Sequence, residues 1–73
     1  MSKKEKSSLE IIGDNLKRIR IEKKLTLKKV SELTGLRVEY LSKIEHANAK
    51  GLNLSKFECL LEGLDLSAEE LLS

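Results

Sequence analysis

Apolar positions recur along this chain at spacings of three and four, the period of a helix. Ile12, Leu16 and Ile19 form one such stripe, which predicts a first helix over residues 9–23 with Lys17, Arg18 and Lys24 turned to solvent. A second, shorter helix is expected over 27–34, with Val30 facing inward. Thr26 precedes it as a hydroxyl cap, and Gly35 follows it, where a positive φ can end a helix sharply. In the third segment, 38–45, Leu41 and Ile44 share one face and leave Val38, Glu39, Ser42 and Lys43 on the other. Residues 48–53 read as a loop and 54–63 as a fourth helix. Ser67 with Glu70 is a capping-box pattern for a short last helix. With no proline and few aromatics, the chain reads as all-α.

Two short helices joined at a glycine, the second with a polar outer face, outline a helix-turn-helix, whose second helix can enter the DNA major groove. Any two amphipathic helices joined by a glycine share that outline, so the flanking segments matter. Seventy-three residues allow one domain with a modest core, near the size at which a chain often needs a partner for comfortable stability. The net charge of +2 says little about nucleic acid, but its distribution says more. Residues 1–30 carry ten Lys/Arg against four Asp/Glu, residues 31–73 carry four against eight, and no base follows Phe57. A binder of polyanions keeps acids off its contact face, although lysines also simply solvate helices. Residues 1–8, rich in lysine and serine, are expected to be a mobile tail, either a basic arm or a solubilising extension.

The stretch 12–72 resembles the Cro/C1-type helix-turn-helix domains of bacterial and phage transcription regulators. The resemblance rests on Ile12-Gly13, Leu16, Ile19-Arg20 and Leu25-Thr26, then on Gly35 and Tyr40-Leu41-Ser42-Lys43-Ile44-Glu45. It continues through Leu54, Phe57, Leu60, Leu64, Leu66-Ser67 and Leu71-Leu72. The compact length and the segments 53–55 and 63–67 are similar to the controller proteins of restriction–modification systems. The resemblance implies a compact, lambda-repressor-like five-helix domain that binds duplex DNA sequence-specifically as a transcription regulator. It also implies an ion pair between Arg20 and Glu45, joining the first helix to the end of the third. Several positions depart from the family pattern. Leu27 stands where a glutamine usually touches the DNA backbone, and Arg37 where a small hydroxyl caps the third helix. Lys24 and His46-Ala47 replace a frequent glycine and the common Asn-Gly.

A helix in the major groove presents its N-terminal outer residues to base edges. The base-reading candidates are therefore Val38, Glu39, Ser42 and Lys43, with His46 beyond them; by resemblance, 38, 39 and 43 are the positions the family most often uses. Lys43 can donate to guanine, Glu39 can accept from cytosine N4, and Val38 can pack on a thymine methyl. A solvated surface, or a Glu39–Lys43 pair one turn apart, would leave the same pattern. Phosphate contacts are expected from Thr26 and Lys28 at the N-terminus of the second helix, from Arg37, and from Asn48, Lys50 and Asn53 around the loop.

No catalytic constellation, phosphate-binding glycine loop or metal-ligand spacing is present in the sequence, so no enzyme, cofactor, metal or small-molecule ligand is expected. The single cysteine, the absence of an apolar membrane span and the lack of a secretory leader suit a cytoplasmic protein. One such module reads only a few base pairs, so a homodimer on a palindromic operator is expected. Like-charged DNA faces repel, which directs the dimer contact to the acidic C-terminal half, with Cys59, Leu61, Leu66 and Leu72 as candidates; the alternative is that these leucines simply close the domain's own core. The competing reading is a helical interaction module, such as an antitoxin that binds a partner protein; apolar Leu27 and Leu33 would support it.

Overall fold

The computed structural model describes residues 7–73, so most of the expected tail lies outside the described residues. The described chain is all-α, with α1 Ser8–Glu22, α2 Leu27–Thr34, α3 Val38–Glu45, α4 Leu54–Leu64 and α5 Ala68–Leu72. The expected tail ran to residue 8, but α1 begins at Ser8. Ser7 caps it, accepting from Glu10 N–H while the Glu10 carboxylate accepts from Ser7 N–H. That reciprocal capping box satisfies two N–H groups the helix would leave unpaired.

Helix α1 packs against α3 and α5, and α2 packs against α3 and α4. The shared core consists of Ile12, Leu16, Ile19, Val30, Leu41, Ile44, Ala49, Leu60, Leu64 and Leu71. Every position read as a core stripe in the first three helices is therefore inside. Burying a side chain of this size contributes about 1.5–3 kcal/mol. Inside the core, Asn15 donates from Nδ2 to the Leu71 carbonyl at 2.7 Å, tying the short α5 to α1 through a satisfied buried amide.

Two glycines allow the helices to meet. A Cβ on Gly13 would overlap the Ile44 carbonyl oxygen, so α1 and α3 touch backbone to side-chain-free backbone. At Gly63 a Cβ would lie 2.6 Å from the Leu33 carbonyl oxygen and 2.7 Å from Thr34 Cγ2, and α4 closes on α2 for the same reason. The positions where the chain departs from the family's glycines carry a different signature. Lys24 has φ +59° and Ala47 has φ +58°, so both side chains sit in the left-handed region that favours glycine.

Opposite stability changes follow at the two kinds of position. Gly13→Ala should cost about 1–3 kcal/mol, because a helix carbonyl cannot yield to the new methyl. Ala47→Gly should stabilise by up to about 1 kcal/mol, the relief of the left-handed backbone less the entropy glycine gains on unfolding. Thermal or urea unfolding of the two variants measures both.

Candidate nucleic-acid interface

The turn between α2 and α3 is built by local chemistry. The Thr26 hydroxyl accepts from Lys29 N–H at 3.0 Å and starts α2. Gly35, at φ +80°, ends it and donates its N–H to Ser31. Buried Thr34 then folds back on the turn, donating to the Val30 carbonyl at 2.8 Å and accepting from Leu36 N–H at 3.2 Å. The hydroxyl so placed stitches the turn to the last coil of α2. Helix α3 follows with Arg37 at its N-cap and no side-chain cap hydrogen bond, as its lack of a hydroxyl leads one to expect.

Leu41 and Ile44 hold α3 from behind, both essentially fully buried. Val38, Glu39 and Lys43 are exposed, and Ser42 is half-buried. These four base-reading candidates thus share the outward side of one short helix. Among the ion pairs of the described residues, none joins Glu39 to Lys43, so the one-turn pair that would tie them up is not formed. His46 caps the helix C-terminus, its Nδ1 2.7 Å from the Ser42 carbonyl. Since a carbonyl only accepts, Nδ1 carries the proton and Nε2 remains for another partner.

The phosphate candidates are divided between charge and capping. Lys28, Arg37 and Lys50 are exposed cations, and Asn48 is exposed beside them in sequence. The oxygens of Thr26 and Asn53 are already engaged as helix caps, the latter accepting from Lys56 N–H at 2.9 Å. Thr26 retains its hydroxyl proton and Asn53 its amide NH₂ for an anion. The N–H groups at the start of α2 lie beside Thr26 and Lys28, which makes that helix end electropositive.

What keeps α3 at its angle is the Arg20–Glu45 pair. Arg20 Nε meets Glu45 Oε2 at 2.6 Å and its NH2 group meets Oε1 at 3.1 Å, a two-pronged contact, while NH1 donates to the Leu25 carbonyl at 3.0 Å. The Glu45 side chain is only 3% exposed. The hydrogen bond to Glu45 raises the guanidinium's already high pKa further, against the opposing effect of burial.

Sequence reasoning passed over Tyr40. It is half-buried on α3, Lys56 Nζ lies 4.6 Å from its ring centre, and its hydroxyl is buried with no hydrogen-bond partner. Burial raises its pKa. Its position beside Leu41 was the available signal, since an aromatic one residue from a core position sits at the edge of the buried face.

Of the residues expected at the dimer contact, Leu61 and Leu66 lie side by side, the Leu66 N–H donating to the Leu61 carbonyl at 2.8 Å. Leu61 and Leu66 are partly buried against the core, and Cys59 is half-buried. Leu72 lines an open, mostly apolar groove of about 380 Å³ with Leu9, Ile12, Leu52, Leu54 and Phe57, in which Asn53 is the one polar residue. Leu54 is 71% and Leu72 49% exposed at its rim. The groove joins three helices that are distant along the chain, so no periodicity within one helix displays it. Among the described residues, no group of three His, Cys, Asp or Glu gathers as metal ligands, and no helix is long and apolar enough to cross a membrane.

A glycine turn that presents a short, solvated helix, anchored behind by a buried ion pair, is the arrangement of a helix-turn-helix domain. The chain belongs to the helix-turn-helix domain family, whose model matches residues 13–73. Among solved structures it is similar to the restriction–modification controller protein C.AhdI from Aeromonas hydrophila, at 27% identity over 86% of this chain and 94% of that one, with a TM-score of 0.79. It is similar also to the wild-type controller protein C.Esp1396I, at 28% identity over 92% of this chain and 86% of that one, with a TM-score of 0.78. No curated protein sequence matches the chain.

Removing one partner of the buried pair should expose its role. Arg20→Ala should destabilise by about 3–5 kcal/mol, because Glu45 is left as an uncompensated buried charge. Arg18→Ala, which breaks an exposed pair with Glu22 at 3.4 Å, should cost under about 1 kcal/mol. Calorimetric or denaturant midpoints of the two variants make the comparison.

Proposed function

We propose that this protein is a sequence-specific transcription regulator of the restriction–modification controller type, reading a palindromic duplex operator as a homodimer. The observation that carries the reading is the free outer side of α3: Val38, Glu39 and Lys43 are exposed on a helix whose inner side is fully committed. In the major groove, Lys43 donates to guanine, Glu39 accepts from cytosine and Val38 covers a thymine methyl, with Ser42 beside them. Thr26, Lys28, Arg37, Asn48, Lys50 and Asn53 hold phosphates and set register without reading sequence. The similarity to controller proteins supports the regulated genes being those of a restriction–modification system.

The dimer surface we favour is the apolar groove edged by Leu54 and Leu72, with a second copy of the chain as its occupant. Exposed leucines beside an apolar groove are covered at low cost by the same surface of a second copy, and a two-fold dimer places two α3 helices on half-sites about 34 Å apart. Of the four residues first considered for the contact, Leu72 is the one that lines this groove. The interaction-module reading keeps one support: Leu33 is 43% exposed on α2, whereas Leu27 is partly buried against the core.

Different variants separate these roles. Lys43→Ala should cost about 1–3 kcal/mol on the preferred duplex and relax one base position. Lys28→Ala should weaken all duplexes alike and make the salt slope shallower by about one unit. Fluorescence anisotropy over a salt series distinguishes them, and equal loss on preferred and random DNA for Lys43→Ala removes it from the base-reading set. Leu54→Asp and Leu72→Asp should each shift sedimentation at micromolar concentration toward the monomer; unchanged association would place the dimer contact elsewhere.

A further inference from the structure

Helix α3 begins without a side-chain cap, yet its first turn carries Val38 and Glu39. Uncapped helix ends fray, and fraying here would blur base reading. The first turn does have another attachment. Tyr40 lies half-buried in it, and Lys56, in the first turn of α4, rests its ammonium 4.6 Å from the ring centre. A cation over an aromatic face is attracted by the ring quadrupole, more strongly where water is partly excluded. The Tyr40 hydroxyl is buried without a partner, so the ring face, not the hydroxyl, is the attachment.

Lys56 gains little from its other surroundings. It stands third in α4, close to the positive end of that helix, where a cation is disfavoured. It forms none of the ion pairs of the described residues. The Asn53 cap on its backbone N–H fixes the turn from which the side chain reaches out. Helix α3 otherwise packs mainly on α1 and α2, so this contact adds α4 as a third support.

We propose that Lys56 is a positioning residue for DNA reading: through the Tyr40 ring it clasps the first turn of α3 to α4, in place of the missing N-cap. The proposal rests on the DNA-reading function, but its physical part is testable without DNA. Tyr40 is the chain's single tyrosine, and there is no tryptophan, so tyrosine emission and near-ultraviolet dichroism report mainly on this site.

The test uses the full chain with Lys56→Met, which keeps the stem and removes the charge, Lys56→Arg, which keeps a cation, and Tyr40→Leu, which removes the ring. In wild type the Lys56 ε-methylene protons should be shifted upfield by the ring, and Tyr40→Leu should abolish the shift. Lys56→Met should speed hydrogen exchange at Leu41, whose N–H bonds the Arg37 carbonyl, and at the amides that follow it in α3, about 3- to 10-fold, while α1 amides stay unchanged and Lys56→Arg restores protection. In the Tyr40→Leu background Lys56→Met should have no further effect. On a selected duplex, Lys56→Met should lower discrimination between bases with the salt slope unaltered.

An ordinary ε-methylene shift, or uniform exchange changes across all helices, would overturn the clasp whatever the protein binds. A salt slope shallower by about one unit with discrimination intact would make Lys56 a phosphate contact and overturn its positioning role. If the clasp signals appear but no duplex is preferred over random DNA, the DNA-reading function fails, and the positioning role fails with it; the clasp alone remains.

Discussion

A carboxylate buried to the extent of Glu45 costs several kcal/mol unless a matching cation and hydrogen bonds compensate it. Arg20 supplies both, and with its remaining nitrogen it also holds the Leu25 carbonyl. One guanidinium therefore joins the end of α3 to α1 and to the link that leads into α2. Moving α3 by even a residue's rise would break a planar two-pronged contact in a partly desolvated site. The bonding is directional where the surrounding leucine packing is not. The outward helix is held at one angle by that pair and at one depth by Leu41 and Ile44.

The closeness of the elements around this joint depends on what is missing. Gly13 has no Cβ, so α1 can lie against the Ile44 carbonyl one residue before Glu45. Gly63 does the same for α4 against the end of α2. These two contacts bring the end of α3 within reach of Arg20 and set α4 beside the helix-turn-helix. The strained left-handed residues Lys24 and Ala47 occupy the links on either side of it.

Much of this was legible in the sequence because it is local. Helix starts at Thr26 and Ser67, the stop at Gly35, and the stripes at Ile12, Leu16 and Ile19 or at Leu41 and Ile44 depend on neighbours within a few residues. The outward set Val38, Glu39 and Lys43 follows from the same period. Features made by distant segments were not legible from periodicity, and the one that was expected, the Arg20–Glu45 pair, came from the family resemblance. Asn15 finds the Leu71 carbonyl 56 positions away, and the Lys56–Tyr40 contact depends on how α4 lies across α3. The apolar groove likewise needs Leu9, Leu54 and Leu72 from three separate helices. The Ser7–Glu10 capping box was local and readable, but it was concealed within a lysine- and serine-rich stretch.

The central claim is that α3 reads base sequence in duplex DNA, two copies at a time. Selection of binders from a pool of randomised duplexes by the full-length protein tests it most directly. An inverted repeat whose half-sites are centred about one helical turn apart should be enriched. A pool that remains random after repeated rounds, at every salt concentration that permits binding, would contradict it.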